Sequence, residues 1–209
     1  MRYEEFKTKI IHLPVISRQF LALLAGNKPG FWVQFQRWVK TGKIISLRRG
    51  LYILNPADRR IDPSRAFIAG QIYSPSYVSL EYALSFYGLI PEKTADLTCV
   101  TAKKTAAFKN PFGRFSYQHV KENCFNGFRE ARDEAGLAYF MAVPEKAVVD
   151  FLYLNQHKFT GDQQSLLYDS YRFQNVEILK KGKLLQYVRL FNSRKLSAIT
   201  ASLLRGNLT

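Results

Sequence analysis

Apolar positions recur at helical spacing in three short blocks at the start of the chain, each closed by a residue that stops helices. The first predicts a helix over residues 3–11 that ends before Pro14, because proline disfavours helical geometry in the residue ahead of it. Ser17 then offers a side-chain oxygen to cap a second helix over residues 18–25, with Phe20, Leu21 and Leu24 along one face and Gly26 as the stop. After the turn Gly26-Asn27-Lys28, Pro29 opens a third helix to residue 41, which Gly42 closes. Two short helices joined by a tight turn behind a first helix predict the core of a helix-turn-helix. The period then changes to that of strands in Lys43-Ile44-Ile45-Ser46-Leu47 and Leu51-Tyr52-Ile53-Leu54. Between them stands Arg48-Arg49-Gly50, a hairpin turn with glycine available for a left-handed position.

A helical wheel of the third helix puts Phe31, Trp32, Phe35, Trp38 and Val39 on one face and Val33, Gln36, Arg37 and Lys40 on the other. The aromatic face is expected in the core and the second face on DNA, since Gln and Arg pair bidentately with adenine and guanine edges in the major groove. Asn27, Lys28 and Gly30 extend that face at its first turns. Arg48 and Arg49 stand where a wing meets phosphates or the minor groove, with Lys43 and Tyr52 beside them. Residues 55–62, rich in turn formers, read as a linker that divides the chain into a winged helix-turn-helix over 1–58 and a second domain over 59–209.

In that second domain, helices are expected over 63–73, around Leu80, Ala83, Leu84 and Tyr87, and over 145–154, 183–191 and 193–204. Strands are expected over 97–101, 115–120 and 139–143, with turn signals at Asn110-Pro111 and Gly113. Strands in the middle and helices at both ends give the fold class α+β.

Charge adds the partner class. The net charge is +15, of which residues 1–60 hold +9, residues 61–177 hold −1, and the stretch from Leu179 onward, with seven Lys and Arg and no acid, holds +7. Two basic poles around a neutral middle attract polyanions, and nucleic acid is the expected one. Apolar residues make up 47% of the chain, yet no run nears the 18 or so that a membrane span needs, and no signal peptide is visible. A cytoplasmic protein is expected, with no membrane partner. Cys99 and Cys124 form no C-x-x-C pair and neighbour no histidine pair, so they read as reduced structural thiols, and neither a metal nor another cofactor is expected.

Several motifs in order resemble the AbiEi-type antitoxins of type IV toxin–antitoxin systems. They are Arg48-Arg49-Gly50-Leu51-Tyr52, Tyr77-Val78-Ser79-Leu80-Glu81-Tyr82-Ala83-Leu84-Ser85-Phe86-Tyr87-Gly88-Leu89-Ile90-Pro91-Glu92, Val100-Thr101-Ala102-Lys103-Lys104, Gly113-Arg114-Phe115-Ser116-Tyr117 and Pro144-Glu145-Lys146-Ala147-Val148-Val149-Asp150. The resemblance implies a winged helix that represses the operator of its own operon, joined to a domain that counteracts a nucleotidyltransferase toxin without a stable complex. On that reading the protein acts as a monomer or a DNA-dependent pair. Tyr77, Ser79 and Glu81 with Lys103 and Lys104 are the candidate antitoxin patch.

Catalysis finds little support. A nucleotidyltransferase needs a Gly-Ser pair and paired carboxylates for two metal ions, and the chain has neither a Gly-Ser dipeptide nor an Asp-x-Asp triplet. Glu92 and Lys93, or Glu145, Lys146 and Asp150, could start a nuclease reading, but such charges are ordinary at helix ends and at i,i+4 spacing on helix faces. A DNA-binding antitoxin that is not an enzyme is therefore expected. The alternatives are a sequence-targeted nuclease and an RNA-binding protein that shields the toxin's substrate.

Overall fold

A computed structural model describes residues 1–26 and 28–205 of the chain. Its N-terminal unit consists of α1 (Tyr3–Ile10), β1 (Ile16–Ser17), α2 (Arg18–Ala25), α3 (Phe31–Lys40), β2 (Ile44–Arg48) and β3 (Leu51–Leu54), with a small antiparallel sheet in the order β1-β3-β2. Ser17 caps α2 as expected, its Oγ accepting the Phe20 N–H at 3.2 Å. The third helix starts later than Pro29, because Gly30 takes a left-handed φ of 74° and the helix begins at Phe31. Phe6, Phe31, Phe35 and Trp38 fill the core of this unit with Leu21, Ile44 and Leu54. Phe6 lies 4.9 Å from the Trp38 ring and edge-on to Phe35 at 6.1 Å, contacts that add about 0.5–1.5 kcal/mol each beyond area burial.

The rest of the chain is mixed α+β. It runs α4 (Arg65–Ile72), β4 (Ser76–Val78), α5 (Leu80–Phe86), β5 (Leu97–Thr101), β6 (Ala106–Asn110), β7 (Gly113–His119), β8 (Phe128–Arg132), β9 (Ala138–Ala142), α6 (Pro144–Asn155), α7 (Gln163–Ser165), α8 (Lys181–Phe191) and α9 (Arg194–Arg205). The six strands form one sheet in the order β6-β7-β5-β4-β9-β8, with the β4–β9 and β5–β7 pairs parallel and the others antiparallel. Strands β1, β4, β6 and β8 had no counterpart in the sequence pattern.

Strand alternation sends neighbouring side chains to opposite faces of this sheet, so two cores form. Val78, Cys99 and Met141 pack with α4, whereas Tyr77, Val100 and Ala142 pack with α5, α6, α8 and α9. The hairpin joins the first of these cores through Leu47, Leu51 and Ile53. Leu47 sits at a bulge, where the register shifts between Ser46 and Arg48, and Asn110 Nδ2 donates to its carbonyl at 3.0 Å. The stretch expected as a linker is a folded turn tied back to α1, with Asp58 accepting from the Tyr3 hydroxyl at 2.7 Å and from the Lys7 ammonium at 3.1 Å. Cys99 and Cys124 are both buried and free, one in each core. No described helix is long and apolar enough to cross a membrane.

Candidate nucleic-acid interface

The aromatic side of α3 anchors it so that its opposite side faces solvent. Phe31, Phe35 and Trp38 are buried, and at the complementary spacing Val33, Gln36, Arg37 and Lys40 are exposed, Val33 by 60%. Trp32 departs from expectation. It is 38% exposed at the edge of the aromatic face, with the Arg18 guanidinium 5.1 Å over its ring. Lys28 and Gly30 are exposed at the start of the helix, while Asn27 lies outside the described residues.

Arg48 closes β2 opposite Leu51, and Arg49 with Gly50 makes the two-residue turn, Gly50 at a φ of 83°. Leu47 is buried, and Arg48 and Arg49 after it are exposed. Arg48 and Gly50 also line a groove of about 540 Å³ with Ser17, Arg18 and Gln19 from the start of α2. Two of the expected contacts serve other purposes. Tyr52 is half-buried, edge-on to Phe35 at 4.9 Å, and the Lys43 ammonium caps the Tyr3 ring at 4.4 Å.

The cations of α3 and the hairpin turn lack counter-charge, as do most exposed cations among the described residues. The three carboxylates of residues 1–60 are engaged with α1: Glu4 and Asp58 pair with Lys7, and Glu5 pairs with Lys9. Hydrogen bonding from the Tyr3 hydroxyl, with Lys7 beside it, holds the Asp58 carboxyl below its ordinary range. Burial and Asp58 push the Tyr3 phenol up. Among the described residues, Lys28, Arg37, Lys40, Arg48 and Arg49 have no carboxylate within 4.0 Å.

The five residues of the expected antitoxin patch are not brought together on one surface. Tyr77 and Ser79 are buried, and their hydroxyls both donate to Asp150 Oδ2 at 2.9 Å. Lys146, also fully buried, pairs with the other oxygen of Asp150 and is covered by the rings of Phe191 at 4.8 Å and Tyr77 at 5.7 Å. Burial raises the Asp150 carboxyl, an effect that Lys146 and the two hydroxyls oppose, and it drives the Tyr77 phenol well above its usual range. Glu81 lines a separate cleft of about 770 Å³ with Asp96, Thr98 and Lys158. Lys103 and Lys104 are exposed in the turn after β5, where the Lys103 ammonium donates to the Ser74 carbonyl.

Sequence reasoning treated Glu145, Lys146 and Asp150 as ordinary helix-face charges. The structure buries all three, and Glu145 accepts the Lys180 N–H at 3.1 Å. The signal that could have found them is the apolar company: Ala147, Val148, Val149, Phe151 and Leu152 leave α6 no polar face. Glu92 is held by Arg172 at the surface, His119 Nδ1 contacts the Lys103 carbonyl at 2.9 Å, and Cys124 Sγ contacts the Leu190 carbonyl at 3.4 Å. No group of three His, Cys, Asp or Glu among the described residues could hold a metal ion. No family model matches this chain, and no curated protein does.

Proposed function

We propose that the N-terminal unit is a winged helix that binds duplex DNA, with α3 reading the major groove and the hairpin turn gripping the backbone. The observation that carries this reading is that Gln36, Arg37 and Lys40 on the outward side of α3 and Arg48 and Arg49 at the hairpin turn are all exposed, and that the four cations have no carboxylate within 4.0 Å among the described residues. The element order supports it: a third helix packed by aromatic residues on a hairpin whose turn stays open to solvent. Gln36 and Arg37 are the base-reading candidates, and Val33 offers apolar contact to a thymine methyl. Lys28, Lys40, Arg48 and Arg49 contribute phosphate contacts that carry no sequence information.

With the motif resemblance, this supports a DNA-binding antitoxin that represses its own operon in the cytoplasm and counteracts a nucleotidyltransferase toxin. The burial of Tyr77 and Ser79 moves any antitoxin surface to the exposed residues of the larger unit. A binding titration of the full chain with duplex from upstream of its own reading frame tests the DNA reading. Preference for that duplex over an unrelated one supports it, and equal affinity contradicts it. Cleavage of the duplex in the presence of Mg²⁺ would replace it with the nuclease alternative.

A further inference from the structure

The second basic pole is as free of counter-charge as the first and lies elsewhere in the molecule. All seven Lys and Arg residues after Leu179 are exposed, and no carboxylate follows Glu177 in the sequence. Among the described residues none of the seven side-chain cations has a carboxylate within 4.0 Å, although Glu145 accepts the backbone N–H of Lys180 at 3.1 Å. Their placement does not serve the helices that bear them. Lys181 and Lys183 stand in the first turn of α8, Arg194 and Lys195 in the first turn of α9, and neither first turn holds an acid. Cations at a helix N-terminus oppose the helix dipole, so these positions cost stability, which Glu145 at the Lys180 N–H offsets at α8 but no first-turn acid recovers at α9. An external polyanion does recover it.

The shape of the surface narrows the partner. Leu184, Val188 and Phe191 of α8 and Leu196, Ile199 and Leu203 of α9 face the core beside α6, which leaves the outward faces to the cations with Gln186, Leu190, Ser197, Ala198 and Ala201. No aromatic residue of α8 or α9 is exposed: Phe191 is buried, and Tyr187 turns inward against Gly127 and Lys146. Single strands are held by bases stacking on aromatic rings, whereas charge without rings suits the fixed phosphate spacing of a duplex. These helices belong to the core on the far side of the six-stranded sheet from α4 and the hairpin. Helix layers on opposite faces of a sheet lie on the order of 20 Å apart, so a duplex lying across α3 leaves this surface uncovered.

We propose that α8 and α9 form a second, sequence-independent contact for duplex DNA, through which one molecule bridges two DNA segments. The contact stands on its own, whereas the bridging rests on the DNA reading of α3. The test uses full-length protein on beads carrying the promoter duplex, challenged with a fluorescent duplex of unrelated sequence. Wild-type protein is expected to retain the second duplex. The variant K181E/K183E/R194E/K195E is expected to lose it while keeping promoter binding and a Tm at or above that of the wild type, since acids in these first turns favour the helix dipole, and its salt slope for unrelated duplex falls by about 3.6, four contacts at about 0.9 each. K181R/K183R/K195R, which keeps the charge, retains capture. The variant R37A/R48A/R49A loses promoter preference but still binds unrelated duplex through α8 and α9. If it keeps that preference, the α3 reading fails while the second contact stands. The proposal is overturned if the charge-reversed variant captures the second duplex as well as wild type does, if wild type captures none, or if double-stranded RNA displaces the DNA at equal length.

Discussion

On α3, Arg37 and Lys40 are exposed and face no carboxylate among the described residues, while on α6 Lys146 is fully buried and meets Asp150 one helical turn away. Both helices set charge into aromatic or apolar sequence. The difference lies in what surrounds each charge: α3 has one packed face and one wet one, whereas α6 is enclosed by α5, α8, α9 and the sheet. A buried ion is tolerable only when it is paired and its remaining hydrogen-bonding sites are filled, and Tyr77 and Ser79 supply that completion. The pair on α6 is therefore architecture. The cations on α3 serve the fold only through the helix dipole at its last turn, which leaves their charged groups free to bind.

Five single substitutions would break or sharpen this contrast. The largest effect belongs to Lys146→Met, which strands the Asp150 carboxylate in the core and is expected to cost about 3–5 kcal/mol, or about 6–20 °C in Tm. The double variant K146M/D150L removes both charges and should be less destabilised than the single one. A calorimetric scan giving Lys146→Met a near-wild-type Tm would show that the pair is not structural. Next comes Arg37→Ala, expected to weaken promoter binding by about 1–3 kcal/mol with Tm unchanged and with a smaller loss on unrelated duplex. Equal losses on both sequences would assign Arg37 to the backbone.

A smaller change is expected from Arg48→Ala or Arg49→Ala, each of which should lower affinity for all duplexes alike and reduce the salt slope by about one. A slope that stays put would take the hairpin turn off the phosphates. Smallest is the pH response of Asp58. Its folded carboxyl is held below the ordinary range, so its stabilisation is full above the usual carboxylate pKa and is lost as pH falls through the folded value. Because both Asp58 and Lys7 are partly exposed, solvent screening keeps this contribution small. Asp58→Asn should flatten that part of an acid denaturation curve, and an unchanged curve would mean that the tie to α1 adds nothing.

Elements with local signals were legible in the sequence. Ser17 and Gly26 bracket α2 at the expected residues, and Gly50 marks the hairpin turn. Strands β1 and β4 were not legible, because two or three residues cannot show a period and such strands exist only through partners distant in sequence. Strands β6 and β8 sit at the two sheet edges, where Lys109, Arg129 and Glu130 face solvent and dilute the apolar pattern. On the interface, the wheel separated reading and packing faces but drew the packing face too wide at Trp32, which packs edge-on to Phe31 and Phe35 with Arg18 over its ring and is still partly exposed. The Lys146–Asp150 pair read as a surface pair because i,i+4 spacing is the same wherever a helix lies. Its burial depends on α8 and α9, which arrive some thirty residues later in the chain.

The central claim is that α3 and the hairpin turn bind duplex DNA with sequence preference. Anisotropy titrations of the full chain and of R37A/R48A/R49A, each with promoter and unrelated duplex across a salt series, test it most directly. Wild type is expected to prefer the promoter, and the triple variant to lose that preference together with about two in salt slope on the promoter, the share of Arg48 and Arg49. A triple variant that keeps both the preference and the slope would contradict the account.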